Sequence, residues 1–323
     1  MVLQSEYLGF KLKSPVVVAS SGLTDNIDNI IKISEYGAGA VVLKSLFEEQ
    51  IITNIHDKHY HEKKSFHNSL EFSEKIDSDK VLDSYITLIN EAKKQTDIPI
   101  ISSINCVSSE VWYYFASKLE DAGTDALELN INLPLMADYN SLDTVLNDYF
   151  HIIENVVNNV GIPVTIKLLP YFPNYKMLIN TFQEIGVKGI VLFNRSFAPD
   201  VDLNNLKIDF NTKYSTSSEF TNTLRWVALL AGKSQLDISA ATGIHGYEEI
   251  LKVILLGASS TQICSSLYNN GLEYVKKIND DLSTWLKSKN FNNLESIKGS
   301  LTKDFDYSED YERIQYMVRD NYK

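Results

Sequence analysis

One pattern repeats along most of the sequence: a short run rich in β-branched and other apolar residues, followed by a longer segment whose apolar residues have helical spacing. This alternation predicts repeated βα units with parallel strands. We predict eight strands, at 15–20, 40–45, 99–105, 126–132, 163–168, 188–194, 236–241 and 260–265. Eight units favour an α/β fold of the (β/α)8 barrel type over a doubly wound open sheet, and the sequence lacks the GxGxxG motif of dinucleotide-binding sheets.

Amphipathic segments between these runs predict crossover helices at 25–36, 108–121, 142–159, 175–185 and 247–256. Several are followed by a glycine, which supplies the left-handed backbone conformation that ends a helix. We expect residues 1–289 to form the barrel and residues 290–323 to form a tail that packs on the barrel or on a partner subunit. Two long connections, 47–79 and 195–219, follow the second and sixth strands, where barrel enzymes place substrate loops.

Composition excludes several classes of protein. The chain has 30 Lys and Arg residues against 42 Asp and Glu residues, a formal net charge of −12, which argues against a nucleic-acid-binding protein. No apolar run approaches the roughly 20 residues of a membrane span, so we expect no membrane partner. Two cysteines and an N-terminus without a signal-peptide pattern predict a reducing, cytoplasmic location.

The residues at the carboxyl ends of barrel strands converge on one mouth, so they predict the site. Here they include two lysines and several asparagines, which suit an electron-rich, carbonyl-bearing ring as a small-molecule substrate or cofactor. Small residues after the seventh and eighth strands are consistent with a phosphate group. The strand-end residues are Ala19, Ser20, Ser21, Gly22, Lys44, Ser45, Asn105, Cys106, Asn130, Ile131, Asn132, Lys167, Asn194, Arg195, Ala241, Thr242, Gly243, Cys264 and Ser265.

Several of these motifs resemble the dihydroorotate dehydrogenase family of FMN-dependent (β/α)8 barrels. The matching segments are YLGFKLKSPVVVASSG, the Lys-Ser at 44–45, HNSLEF, the Glu-Leu-Asn at 128–130, IKLLPYF, AATGIHG and QICSSL. The resemblance implies an FMN-dependent oxidoreductase acting on a CH–CH group, as in the oxidation of dihydroorotate to orotate in pyrimidine biosynthesis. It also implies a homodimer.

The resemblance assigns roles to individual residues. It implies that Lys44 lies near flavin and substrate, and we name Lys44 and Cys106 as candidate catalytic residues. The substrate-binding residues implied by the resemblance or by strand-end position are Asn68, Asn130, Asn194 and Arg195. The implied FMN-binding residues are Ser21, Gly22, Lys44, Ser45, Asn130, Lys167, Thr242, Gly243, Cys264 and Ser265.

The sequence departs from the family at the catalytic base. Leu133 occupies the position at which the family has a Cys or Ser that removes a proton from the substrate, and leucine cannot accept a proton. Cys106, His67 and Tyr139 are the candidate replacements. The true substrate therefore differs from dihydroorotate or another residue acts as the base.

Two alternatives remain open at this stage. One is a flavin-binding pseudoenzyme, which the loss of the base suggests. The other is a Schiff-base aldolase or lyase on the same barrel, with Lys44 or Lys167 as the amine. The histidines in IHDKHYHEKK, at 56, 59 and 61, are interpreted as part of a polar loop, and we expect no metal site.

Overall fold

The computed structural model describes residues 2–47, 78–106, 112–131, 141–172, 174–196, 198–209 and 213–302. Its strands, in chain order, are β1 (Ser5–Tyr7), β2 (Phe10–Leu12), β3 (Val16–Val18), β4 (Ala40–Val42), β5 (Leu46–Phe47), β6 (Ile100–Cys106), β7 (Ala126–Ile131), β8 (Val164–Leu168), β9 (Gly189–Leu192), β10 (Asp200–Asp202), β11 (Lys207–Asp209), β12 (Asp237–Ala241) and β13 (Ser260–Ile263).

Eight of these strands close into a parallel barrel. β3 pairs with β4, β4 with β6, β6 with β7, and the order continues through β8, β9, β12 and β13. β13 then pairs with β3, with Thr261 opposite Val16, so the described sheet has no gap. The predicted (β/α)8 barrel is therefore confirmed, and each barrel strand overlaps one of the eight predicted runs.

Helices surround the barrel. They are α1 (Ile27–Glu35), α2 (Ser78–Gln95), α3 (Trp112–Asp121), α4 (Leu142–Asn159), α5 (Tyr175–Ile185), α6 (Phe220–Leu230), α7 (Tyr247–Leu255), α8 (Ser265–Asn270) and α9 (Tyr274–Ser288). The five predicted helices all overlap one of these, and α4 and α5 have the predicted ends. Their starts are encoded locally: the side chains of Asn26, Ser141 and Asn174 each accept a hydrogen bond from a backbone N–H of the first turn.

The core lies between the strands and the helices. Barrel strands such as β8 and β9 are buried on both faces, because the helices cover one face and the lumen encloses the other. Amphipathic helices complete this layer; α5, for example, buries Leu178 and Phe182. The sequence reads as continuous apolar runs in the strands for this reason.

Two hairpins were not predicted from the sequence. β1 and β2 form an antiparallel hairpin before the barrel, and its residues Tyr7, Leu8 and Leu12 pack with Val17 and other buried residues at one end of the lumen. β10 and β11 form a second hairpin inside the long connection after β9. The other long connection lies mostly outside the described residues.

The amino-terminal end of the barrel is held by polar contacts between distant parts of the chain. The Asp237 carboxylate accepts hydrogen bonds from the Leu8 N–H at 2.7 Å and from the Ser259 hydroxyl at 2.6 Å. Lys298 donates to the same hydroxyl at 2.9 Å, so residues after α9 reach this end as well. The first and last described segments are thus joined at the end of the barrel opposite the strand termini predicted to form the site.

Among the described helices, none combines the length and the apolar character needed to cross a membrane.

Candidate active site

Three polar side chains meet inside the barrel lumen. Lys167 Nζ lies 3.3 Å from Glu128 Oε1 and donates to Gln262 Oε1 at 2.9 Å, and Gln262 Nε2 donates to Glu128 Oε2. The side chains come from β7, β8 and β13, so the group spans the lumen rather than linking neighbouring strands only. Glu128 is 0% exposed, Gln262 2% and Lys167 8%. A charge at this depth is stable only with a partner, and here the two charges pair with each other.

Lys167 keeps one donor for a ligand. An ammonium group carries three N–H bonds, and two are directed to Glu128 and Gln262 in the described structure. A ring with a carbonyl or other electron-rich edge is a suitable acceptor for the third. The arrangement supplies a fixed cation at which negative charge can develop.

A chain of hydroxyl groups connects the segments that follow β3 and β4 with the middle of β6. Ser45 Oγ lies 3.1 Å from Ser20 Oγ and 2.7 Å from Ser103 Oγ, and the Ser45 N–H donates to Ser20 at 2.9 Å. The Ser103 N–H donates to the hydroxyl of Tyr85 on α2. Burial raises the pKa of Tyr85, so this phenol stays protonated. The predicted residue Ser45 is therefore held on both sides.

The turn after β12 has a special backbone shape. Thr242 and Gly243 both have positive φ, 73° and 79°. The Thr242 hydroxyl donates to the Phe193 carbonyl at 2.9 Å, which stabilises a conformation that threonine rarely adopts. A side chain at position 243 would collide with the backbone of Phe220, where α6 begins. Glycine is therefore required here by both conformation and space.

The turn after β13 contains a buried hydroxyl group that has no hydrogen-bond partner in the described part of the chain. Ser265 Oγ accepts a hydrogen bond from the Ser215 N–H at 3.0 Å, whereas Ser266 Oγ is buried and has no partner among the described residues. Both serines lie in the first turn of α8. Buried polar atoms are rarely left unpaired, so this hydroxyl is a candidate partner for a polar atom of a ligand.

Cys264 joins the ends of the first and eighth barrel strands. Burial raises the pKa of its thiol, while a hydrogen bond with Ser21 and the charge of Lys167 act in the opposite direction. Ser21 also interacts with Tyr268 of α8, whose ring stacks on Tyr214 with 5.1 Å between centroids. A side chain at Gly22 would approach the Tyr268 hydroxyl to 3.1 Å. Ser21, Gly22 and Cys264 therefore share one region of the mouth.

Two further predicted residues meet at the end of β7. Asn194 Nδ2 donates to Asn130 Oδ1 at 3.1 Å, and both side chains are half-buried. Next to them, Arg195 Nε donates to Glu219 Oε2 at 2.9 Å. Burial alone raises the pKa of Glu219, but the hydrogen bonds from Arg195 and from the Thr216 N–H lower it below its ordinary value. Arg195 is thus held by protein contacts.

Lys44 is not part of the lumen group, which consists of Lys167, Glu128 and Gln262. Its side chain is about half exposed and its Nζ lies 3.4 Å from the Asp25 carboxylate. Lys44 and Asp25 line an open cavity of about 700 Å³ between α1 and α2. Its predicted catalytic and cofactor-binding roles stay predictions.

Several predicted residues lie outside the described part of the chain. They are Asn68, His67, Leu133, Tyr139 and the three histidines at 56, 59 and 61. Cys106 ends β6, but its side chain also lies outside the description. In the parts that are described, no group of three or more His, Cys, Asp or Glu side chains is arranged to bind a metal ion.

The sequence was compared with known proteins. A family model described as dihydroorotate dehydrogenase matches residues 2–286. The chain belongs to the dihydroorotate dehydrogenase family. The predicted resemblance, to oxidoreductases of the dihydroorotate dehydrogenase type, is therefore confirmed.

Curated members of the family align along nearly their whole length. The chain is 26% identical to a protein of Thermoplasma volcanium over 305 residues, 90% of this chain and 95% of the relative. It is 26% identical to one of Methanocaldococcus jannaschii over 312 residues, 92% and 97%. A third, of Thermoplasma acidophilum, is 24% identical over 311 residues, 92% and 98%. Each is named the catalytic subunit of dihydroorotate dehydrogenase B (NAD(+)).

Glu128 and Gln262 were not predicted as site residues. The signal was present: Glu128 interrupts the apolar run ALELNIN, and Gln262 interrupts STQICS. A charged residue within a strand buried on both faces needs an opposite charge, and Lys167 on the neighbouring strand supplies it. Tyr268 and Glu219 carried no comparable signal, because their positions in a helix and a turn look ordinary.

Proposed function

We propose that the chain is an FMN-dependent oxidoreductase acting on a small ring substrate, with the CH–CH chemistry of dihydroorotate dehydrogenases. The observation that carries the proposal is the enclosed Lys167, which is held by Glu128 and Gln262 and has a third N–H that contacts none of the described residues. FMN, when bound, would accept the hydride that the substrate loses. The residues of the chain would bind and orient both molecules.

The residues present fit FMN. Lys167 offers a cationic donor to the electron-rich edge of an isoalloxazine ring. At the start of α8, Ser266 has a buried hydroxyl that no described residue hydrogen-bonds, and a phosphate oxygen would satisfy it. Thr242 and Gly243 form the turn after β12, the other part of the phosphate position in barrels of this type. Ser21 and Gly22 provide a small-residue surface nearby.

We expect the purified protein to be yellow and to release FMN when denatured. Replacing Ser266 by alanine is expected to weaken FMN binding by about 10- to 150-fold, because a hydrogen bond to a charged group contributes roughly 1.5–3 kcal/mol. Ser5→Ala is the matched control: the Ser5 hydroxyl is also buried and has no hydrogen-bond partner among the residues described, but it lies in β1 at the opposite end of the barrel. Fluorescence titration of the apoprotein measures both variants. A colourless protein that does not take up added FMN would show the proposal to be wrong.

We expect slow oxidation of dihydroorotate, below about 1 per second, the lower end of typical enzyme turnover. The reason is Leu133, which cannot remove the proton that must leave as the hydride is transferred. Turnover is measured with an artificial electron acceptor, and Leu133→Cys restores the family's residue as a matched comparison. Turnover near 1 per second or above in the unchanged protein would show that another residue acts as the base.

A flavin-binding protein without turnover is the second candidate function, and the leucine at position 133 is the observation that favours it. A protein that binds FMN but reduces it with none of a panel of oxidisable substrates would support this candidate. The Schiff-base lyase is less favoured, because both candidate amines lie against a carboxylate, Lys167 against Glu128 and Lys44 against Asp25, and a neighbouring carboxylate favours the charged, non-nucleophilic form of an amine. The predicted homodimer and cytoplasmic location stay predictions.

A further inference from the structure

The lumen group contains a negative charge as well as a positive one, and the proposed function uses only the positive charge of Lys167. Lys167 does not present a bare positive charge to the mouth, because Glu128 lies against it and is more deeply buried. Two opposite charges in a medium of low polarisability cancel most of each other's field at a distance. The electrostatic field that a ligand experiences therefore depends on Glu128 as well as on Lys167.

Gln262 fixes the relative position of the two charges. Its amide oxygen accepts from Lys167, and its amide nitrogen donates to Glu128. Each side chain of the group thus contacts the other two, and the Lys167 ammonium cannot rotate without breaking one of these contacts. Gln262 reaches them from β13, which β12 and β9 separate from β8.

We propose that Glu128 is a positioning residue that acts as the internal counter-charge of Lys167 and so limits how strongly the site stabilises negative charge on a bound ring. Gln262 holds this pair in register. The inference rests on the proposed function as far as the ring is FMN. Removing the carboxylate charge would leave Lys167 uncompensated and favour the reduced, more negative form of the ring.

The reactivity of the Cys264 thiol depends on the charge of Lys167 and can be measured in the absence of a cofactor. The charge of Lys167 lowers the pKa of this half-buried thiol against the larger effect of burial. A thiolate is the reactive form, so an uncompensated Lys167 would accelerate alkylation of Cys264. Mass spectrometry of the labelled peptides reads Cys264 separately from Cys106.

Glu128→Gln is the first test variant, since it keeps shape and hydrogen bonding but removes the charge. We expect the reduced form of FMN to be favoured about tenfold, which raises the reduction potential by about 30 mV for a two-electron couple. We expect alkylation of Cys264 in the apoprotein to accelerate several-fold.

The swap variant E128Q/Q262E returns a carboxylate to Lys167 from the other side and should restore both the reduction potential and the alkylation rate. Glu120→Gln, on α3 outside the barrel, is the control and should change neither.

The possible results separate the inference from the proposed function. If Glu128→Gln binds FMN with unchanged potential and unchanged alkylation, the counter-charge role is wrong and the proposed function stands. If both readouts change equally in Glu128→Gln and in the swap variant, packing rather than charge is responsible and the inference is wrong. If the unchanged protein does not bind FMN, the proposed function fails and alkylation of Cys264 alone decides the inference.

A variant that adds a negative charge instead of removing one tests the inference if Glu128→Gln does not fold. Gln262→Glu places a second carboxylate against Lys167. At pH 8.5 we expect it to lower the reduction potential and to slow alkylation of Cys264. Absence of both shifts would overturn the inference.

Discussion

Replacing Lys167 by methionine is expected to lower the free energy of unfolding by about 3–5 kcal/mol, the usual cost of removing one partner from a buried ion pair. The loss comes from Glu128, which is 0% exposed and would remain in the lumen without an opposite charge. Methionine fills a similar volume, so a cavity contributes little. Urea unfolding followed by circular dichroism measures the change, provided that refolding reproduces the same curve.

Lys44→Met is the matched control for this prediction. Lys44 is also paired with a carboxylate, that of Asp25, but both side chains are substantially exposed, so we expect a loss below about 1 kcal/mol. The double variant K167M/E128Q should recover part of the stability, because it removes the unpaired charge. Equal losses in Lys167→Met and Lys44→Met would contradict the prediction and would mean that water reaches the lumen group.

Replacing Gly243 by alanine is expected to reduce stability by about 3 kcal/mol and to weaken FMN binding about 100-fold, which corresponds to roughly 2.7 kcal/mol. The backbone at Gly243 has a φ of 79°, and a Cβ atom there would lie 2.2 Å from the Phe220 nitrogen. The colliding atom belongs to the backbone at the start of α6, so a change of side-chain rotamer cannot relieve the contact. The turn after β12 or the first turn of α6 must move.

Gly123→Ala is the control that distinguishes the collision with Phe220 from the strain of a positive φ. Gly123 has a φ of 92°, and the described structure places nothing within 4 Å of an added Cβ atom. Only the left-handed conformation penalises this substitution, by about 1–2 kcal/mol, and FMN binding should not change. Titration of FMN into both apoproteins, together with urea unfolding, tests the pair. If the two variants behaved alike, the turn after β12 would not depend on a close approach of the backbones.

The barrel could be predicted from the sequence because each of its strands and helices has a recognisable pattern within its own segment. Each strand is a short β-branched run, and each crossover helix shows its own apolar spacing, so β8 and α5 could be recognised without their neighbours. The β1–β2 hairpin could not be predicted in this way. Its turn places Leu8 at a positive φ of 54°, where sequence preferences favour asparagine, aspartate or glycine. Leu8 is stabilised by burial and by its N–H bond to Asp237, which are tertiary contacts.

The candidate site was only partly predictable for a related reason. Position at a strand end identified Lys167, but the direction of a side chain depends on which residues it meets across the lumen. Lys44 also follows a strand, yet its ion pair is with Asp25, whereas Lys167 contacts Glu128 and Gln262. Partners that are distant in sequence therefore decided which strand-end residues form one group.

The polar contacts that link Leu8, Asp237, Ser259 and Lys298 have a consequence for how this protein can change over evolutionary time. They join the hairpin, the barrel and the segment after α9 at one end of the molecule, while the turns after β12 and β13 lie at the other. Substitutions in the loops of the mouth therefore leave these anchoring contacts intact. Where a mouth position is free of a close backbone contact like that of Gly243, a substitution can therefore change the site while the anchor at the other end keeps the barrel folded.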